Sequence, residues 1–155
     1  MKLYKREGRK FVPMQIEDRT GMFYQKDYTF AHHKDENTIG VCILSTIDHE
    51  VVMSLYDAEN CLLTRRDALR TQGTIPFDEI PTASEMFIAL HEYRESLDIK
   101  LNRPYWFKND RFCDENMFAA TAYDVGYADN YPAPRTPYAA GLRLVKRFKR
   151  FLVPF

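Results

Sequence analysis

The residues of this chain that could do chemistry are four histidines, three cysteines and a late stretch dense in tyrosine, aspartate and arginine. His32 and His33 are adjacent, which suggests a metal. Successive side chains of an extended segment point opposite ways, however, so neighbouring imidazoles do not converge on one ion. Surface polar residues are the expectation there. His49-Glu50 and His91-Glu92 are isolated pairs, and His91 with Glu92 and Glu95 reads as the solvated face of a helix rather than an acid–base dyad. Cys42, Cys61 and Cys113 are odd in number and widely spaced, which fits neither a disulfide framework nor a zinc site. Cys42, inside Gly40-Val41-Cys42-Ile43-Leu44, is expected to be a buried small hydrophobe. The Gly-x-Ser-x-Gly elbow, the phosphate loop, His-Glu-x-x-His and Gly-x-Gly-x-x-Gly do not occur in the sequence. The expectation is therefore a chain without cofactor or metal that is not an enzyme, with an activity lacking a motif kept as a second alternative.

The late stretch from Asp124 to Ala140 is rich in Gly, Pro, Tyr and Asp and reads as a long loop. Loops of that length inside a compact domain usually carry function. With Tyr123 just before it, this one holds Asp124, Tyr127, Asp129, Asn130, Tyr131, Arg135 and Tyr138. Aromatic faces and directed polar groups suit recognition, and Tyr127, Asn130, Tyr131 and Arg135 are the candidate ligand- or partner-binding residues. A proline-stiffened connector whose tyrosines cover the core is the competing reading. Beyond the loop, Arg143, Lys146, Arg147, Lys149 and Arg150 alternate with apolar residues and could meet nucleic acid. With 22 basic and 22 acidic residues the chain has no net charge. That balance favours a closing strand with a basic exposed face, answered by Glu92, Glu95 and Asp98. Phe151 to Phe155 form an apolar tail that must pack back or enter a partner.

These residues need a frame to position them. At 155 residues, with 45% hydrophobic and 14% aromatic content, the chain is long enough for one domain with its own core. It holds no apolar run of membrane-spanning length, and its charged opening lacks a signal-peptide core, so no secretion address is expected. Residues 1–36 read as an irregular N-terminal arm that docks on something else, and residues 38–155 as the domain. Thr38–Ser45 and Val51–Tyr56 read as a β-hairpin, followed by an amphipathic helix over Leu62–Gln72 that Gly73 ends. Thr82 and Glu85 have capping-box spacing. Met86, Phe87, Leu90, Tyr93 and Leu97 then predict a helix of about four turns, closed by Asn102-Arg103-Pro104. Tyr105-Trp106-Phe107, Met117–Tyr123 and Leu142–Phe148 read as strands, the last with Leu142 and Leu144 on one face and Arg143 on the other.

This order of elements resembles the C-type-lectin-like domains found at the C-terminus of bacterial collagen-like adhesins. The matching residues are Gly40 and Val41, then Ile80, Pro81, Thr82, Glu85 and Met86, then Tyr105 and Trp106, and finally Arg143, Val145, Arg147 and Phe148. The resemblance covers residues 38–150. Phe107–Asp110 depart from the family's Ser-Ser-Thr-Glu pattern, and residues 1–36 have no counterpart. It implies an α+β fold: a C-type-lectin-like mixed domain with two helices, a small antiparallel sheet and a long late loop that displays a binding surface. Some members bind sugar through calcium, for which Asp124, Asp129 and Asn130 could supply oxygens. No Glu-Pro-Asn or Gln-Pro-Asp triplet is present, so calcium is not expected.

A surface lectin needs a secretion signal, whereas a virion protein assembles in the cytoplasm. The expected function is thus a non-enzymatic binding or structural module, a phage virion component such as a decoration, fibre or attachment protein, located in the virion or cytoplasm. The expected partners are other protein subunits of an assembly, as a homo-oligomer or assembly-bound, or a host-surface glycan or protein. No membrane and no nucleic acid are expected. A ligand- or glycan-binding domain of an adhesin lineage is the alternative.

Overall fold

A computed structural model describes residues 3–14, 17–73, 76–108, 117–122 and 138–149. They form a mixed α+β fold with two α-helices and several small antiparallel sheets. The largest sheet is built on the expected hairpin, β5 (Thr38–Ser45) with β6 (His49–Ser54). Both faces of this hairpin are buried, so its residues divide by parity, as the two-residue strand period requires. Val41, Ile43, Val51 and Met53 pack toward the second helix, while Cys42 and Val52 pack into a separate cluster on the other side. Cys42 is fully buried there, as a small hydrophobe would be. Gly40 is required by space. A Cβ at this position would lie 2.7 Å from the Met53 carbonyl oxygen and 2.9 Å from the Phe77 ring.

Residues 1–36 do not behave as one arm. Leu3–Glu7 (β1) and Lys10–Met14 (β2) form a separate two-stranded ribbon. Phe23–Gln25 (β3) and Phe30–Ala31 (β4) instead extend the main sheet, β3 pairing with β5 and β4 with β3. Tyr24 is 1% exposed, with its ring centroid 5.3 Å from Phe30 and 5.7 Å from Phe148. A division at residue 37 therefore cuts through the sheet. The reason is apolar: Phe23 and Tyr24 have more area to bury against β5 than in water.

Two short helices follow. After the pair Leu63–Thr64 (β7), Arg65–Arg70 (α1) starts at Thr64, whose hydroxyl accepts from the Asp67 amide. Gly73, at a φ of +90°, then turns the chain. Ala83–Glu92 (α2) carries the expected capping box. The Thr82 hydroxyl accepts from the Glu85 amide, and the Glu85 carboxylate accepts from the Thr82 amide. The helix is shorter than the periodicity predicts. Leu97 and Ile99 are buried, but in a succession of turns rather than a helix, with Asp98 between them at a φ of +52°. Residues at helical spacing can reach one core from an irregular turn as well as from a helix.

Tyr105–Lys108 (β8) and Met117–Ala120 (β9) form a second antiparallel pair. It sits between the two apolar clusters, so Tyr105 and Phe107 enter one and Trp106 the other. Trp106 is 1% exposed, and its indole N–H donates to the Leu63 carbonyl at 2.9 Å. Ala139–Ala140 (β10) pairs with β7. The closing strand, Val145–Lys149 (β11), starts three residues later than expected and borders β6, giving the sheet order β11-β6-β5-β3-β4. The tail Phe151–Phe155 lies outside the described residues.

Two stability outcomes follow from these contacts. Trp106→Ala is expected to cost about 3–5 kcal/mol by chemical denaturation, because it removes a fully buried ring and leaves a cavity. The wild-type tryptophan emission should be blue-shifted, and a solvent-like maximum would contradict the packing. Thr82→Ala should cost about 1 kcal/mol through loss of the cap acceptor.

Candidate functional site

The four candidate residues Tyr127, Asn130, Tyr131 and Arg135 lie outside the described residues. The structure shows how the described residues on either side of the segment that carries them are held. Its N-terminal root is β9, where Ala120 pairs with Tyr105. Its C-terminal root passes from β10 to Gly141, which forms a parallel bridge to the same Tyr105. The Gly141 amide donates to the Pro104 carbonyl at 2.8 Å, and the Trp106 amide donates to the Gly141 carbonyl at 2.9 Å. One strand, β8, thus holds both described flanks of segment 123–137, β9 on one side and Gly141 on the other. With strands about 4.8 Å apart, the two roots emerge roughly 10 Å from each other. Gly141 permits this approach, since a Cβ would come 2.9 Å from the Tyr105 ring.

A buried charge network reinforces the root. Arg143 is 4% exposed, contrary to the expectation of a basic outer face. Its Nε donates to Asp57 Oδ1 at 2.5 Å, and Nη1 donates to the carbonyls of Leu97 at 2.6 Å and Ser54 at 3.3 Å. Nη2 reaches the Asp98 carbonyl at 3.3 Å. The second Asp57 oxygen accepts from Arg103. The guanidinium also lies 5.6 Å from the centroid of the Tyr105 ring, within cation–π range. Leu142, Arg143 and Leu144 are all buried because this segment runs between elements before β11 begins, so there is no outer face for Arg143 to occupy.

The pKa directions follow. Burial pushes the Asp57 carboxyl upward, but hydrogen bonds and charge from Arg143, then from Arg103, outweigh it and hold the group below its ordinary value of about 3.8. Burial raises the Tyr105 phenol, against the opposing pull of Arg143, the Lys100 backbone and Arg103. Its hydroxyl is buried without a hydrogen bond of normal geometry.

A second cluster joins β11 to the α2 cap. Arg147 Nε donates to Glu85 Oε2 at 2.8 Å, its Nη2 to Glu85 Oε1, and its Nη1 to Glu79 at 2.5 Å. Burial disfavours the Arg147 charge, but Glu85 and Glu79 outweigh that and raise its pKa. The basic residues Arg143 and Arg147 are thus answered by Asp57, Glu79 and Glu85. Glu92, Glu95 and Asp98, expected to balance them, have exposed side chains, and only the Asp98 backbone reaches Arg143.

Asp57 lies in the sequence between the hairpin and the first helix, where its own neighbours do not mark it as a buried partner. The available signal was Arg143 itself, a cation between Leu142 and Leu144 that would need a carboxylate if buried. His32 and His33 are exposed. Among the described residues no group of three or more His, Cys, Asp or Glu could hold a metal ion. Nor is any helix among them long and apolar enough to cross a membrane. No family model, curated protein or solved structure matches this chain.

Asp57→Ala should cost about 3–5 kcal/mol, since it strands a buried guanidinium. The depressed carboxyl gives acid sensitivity of defined sign: its stabilisation is full above the unfolded value of about 3.8 and is lost as pH falls through the lower folded value. Thermal melts taken from about pH 5 down to about pH 2 should show a flatter acid limb for Asp57→Asn than for wild type. An unchanged limb would mean that Asp57 does not carry this charge.

Proposed function

We propose that this chain is a non-enzymatic binding or structural module whose recognition surface is the loop between β9 and β10. A subunit of a virion, in a decoration, fibre or attachment role, is the form of it we favour. The observation that carries the reading is the grip of β8 on both roots of that loop, backed by the Asp57–Arg103–Arg143 network. A loop closed on a stiff base loses less entropy when it meets a partner than one hung from mobile ends. Tyr127, Asn130, Tyr131 and Arg135 are the residues assigned to the contact. The order hairpin, helix, capped helix, Trp strand, loop and closing strand supports a C-type-lectin-like arrangement over residues 38–150. The zero net charge and the internal pairing of Arg143 and Arg147 argue for a protein partner over nucleic acid.

One observation favours the alternative of glycan recognition in an adhesin lineage. Tyr138, at the loop root, is 89% exposed, and Tyr56, next to Asp57, is 64% exposed. Exposed aromatic faces suit the apolar face of a sugar ring.

The test compares wild type with a variant carrying alanine at Tyr127, Asn130, Tyr131 and Arg135, by sedimentation velocity and on a glycan array. The variant should keep the wild-type melting temperature and lose glycan binding or whatever self-association survives about 1 M salt. A variant that binds as wild type does, or a wild type that is monomeric and binds no glycan, overturns the assignment of the loop.

A further inference from the structure

The β1–β2 ribbon pairs with no other strand among the described residues. Its described side chains, residues 6–11, are all exposed, Phe11 at 61%, and none of these six belongs to either apolar cluster. An isolated two-stranded hairpin is at best marginally stable in water, so a ribbon of this kind gains by lying against another surface. Its charge is one-sided. Over residues 1–14, the ribbon with the two residues before it, Lys2, Lys5, Arg6, Arg9 and Lys10 against Glu7 give +4. Because the 155 residues hold 22 basic and 22 acidic groups, the remaining chain carries −4.

The opposite sign is also concentrated. Glu92, Glu95 and Asp98, at and after the end of α2, are exposed, as are Asp35 and Glu36. Lys34 joins the two segments, donating to Asp98 at 3.0 Å and to the Ser96 carbonyl at 3.4 Å. Lys34 thus brings the segment with Asp35 and Glu36 to the turns that carry Glu95 and Asp98, with Glu92 ending α2 just before them.

We propose that the ribbon is a docking arm for a second copy of this chain, its Arg6, Arg9 and Lys10 meeting the acidic surface formed by Asp35, Glu36, Glu92, Glu95 and Asp98. Basic two-stranded ribbons also fit nucleic acid grooves. A polyanion, however, would meet the −4 remainder of the chain as well as the ribbon, whereas a second copy supplies the complementary charge itself. Ribbon and acidic surface are different patches, so the contact forms a two-fold dimer if it is reciprocal and a head-to-tail ring or filament if it is not. The inference extends the assembly reading but does not use the 123–137 loop.

Sedimentation velocity at low ionic strength should show association of the wild type. Salt of about 1 M, where the Debye length falls to about 3 Å, should dissolve the ribbon-dependent share of it. Arg6→Glu with Arg9→Glu should weaken association about tenfold or more without moving the melting temperature, since no core residue is touched. Glu92→Lys with Glu95→Lys should do the same. An equimolar mixture of the two charge-reversed variants should associate again, which a merely destabilised protein would not do. The loop alanine variant should leave this salt-sensitive association intact, so the two readings fail separately. The proposal is overturned by a wild type that stays monomeric at low salt, or by association that ignores ribbon charge reversal. Ribbon-dependent binding of a labelled DNA duplex without self-association overturns it equally.

Discussion

The buried guanidinium of Arg143 sets the terms for the C-terminal half of the molecule. Burying a charge costs several kcal/mol unless partners meet it from every side. Arg143 meets that demand by drawing on four places: the Asp57 carboxylate after β6, the Ser54 carbonyl at the end of β6, and the Leu97 and Asp98 carbonyls in the turns after α2. None of these segments can move without exposing an unpaired group, so the ion pair specifies position more than it adds net stability. Asp57 shows the same priority. It sits at the N-cap of a short 3-10 turn, Ala58–Asn60, yet its side chain caps nothing and serves the two arginines instead.

That fixed region holds β9 and Gly141, the described flanks of segment 123–137. Tyr105 carries three duties at once. Its backbone pairs with Ala120 and bridges to Gly141, its ring receives the Arg143 cation, and its body fills the cluster under α2. In the reading proposed above, a stiff root of this kind suits a recognition surface. The Arg147–Glu85–Glu79 cluster plays a parallel part on the sheet side. Glu85 completes the α2 cap and binds Arg147 with both oxygens, so one carboxylate joins helix start to closing strand.

Much of the local structure was legible in the residues. The β5–β6 hairpin, the Thr82–Glu85 capping box, the strand holding Trp106, the burial of Cys42 and the turn at Gly73 all depend on neighbours a few positions apart. Short-range rules reach that far. The α2 helix was legible in its start but not its end, because Leu97 satisfies helical spacing from a turn. The candidate segment reads as a loop through its composition, and its residues 123–137 lie outside the described residues.

The sequence by itself determined an α+β chain of short elements, where its hairpin and helix starts fall, and the residues with enough apolar area to demand burial. Tertiary structure decided the rest. It placed Phe23 and Tyr24 in the main sheet, because a neighbouring strand buried their rings. It turned Arg143 inward, because Asp57, 86 positions away, was there to receive it. Pairings across such separations follow from the packing of the whole core, and no local pattern of residues announces them.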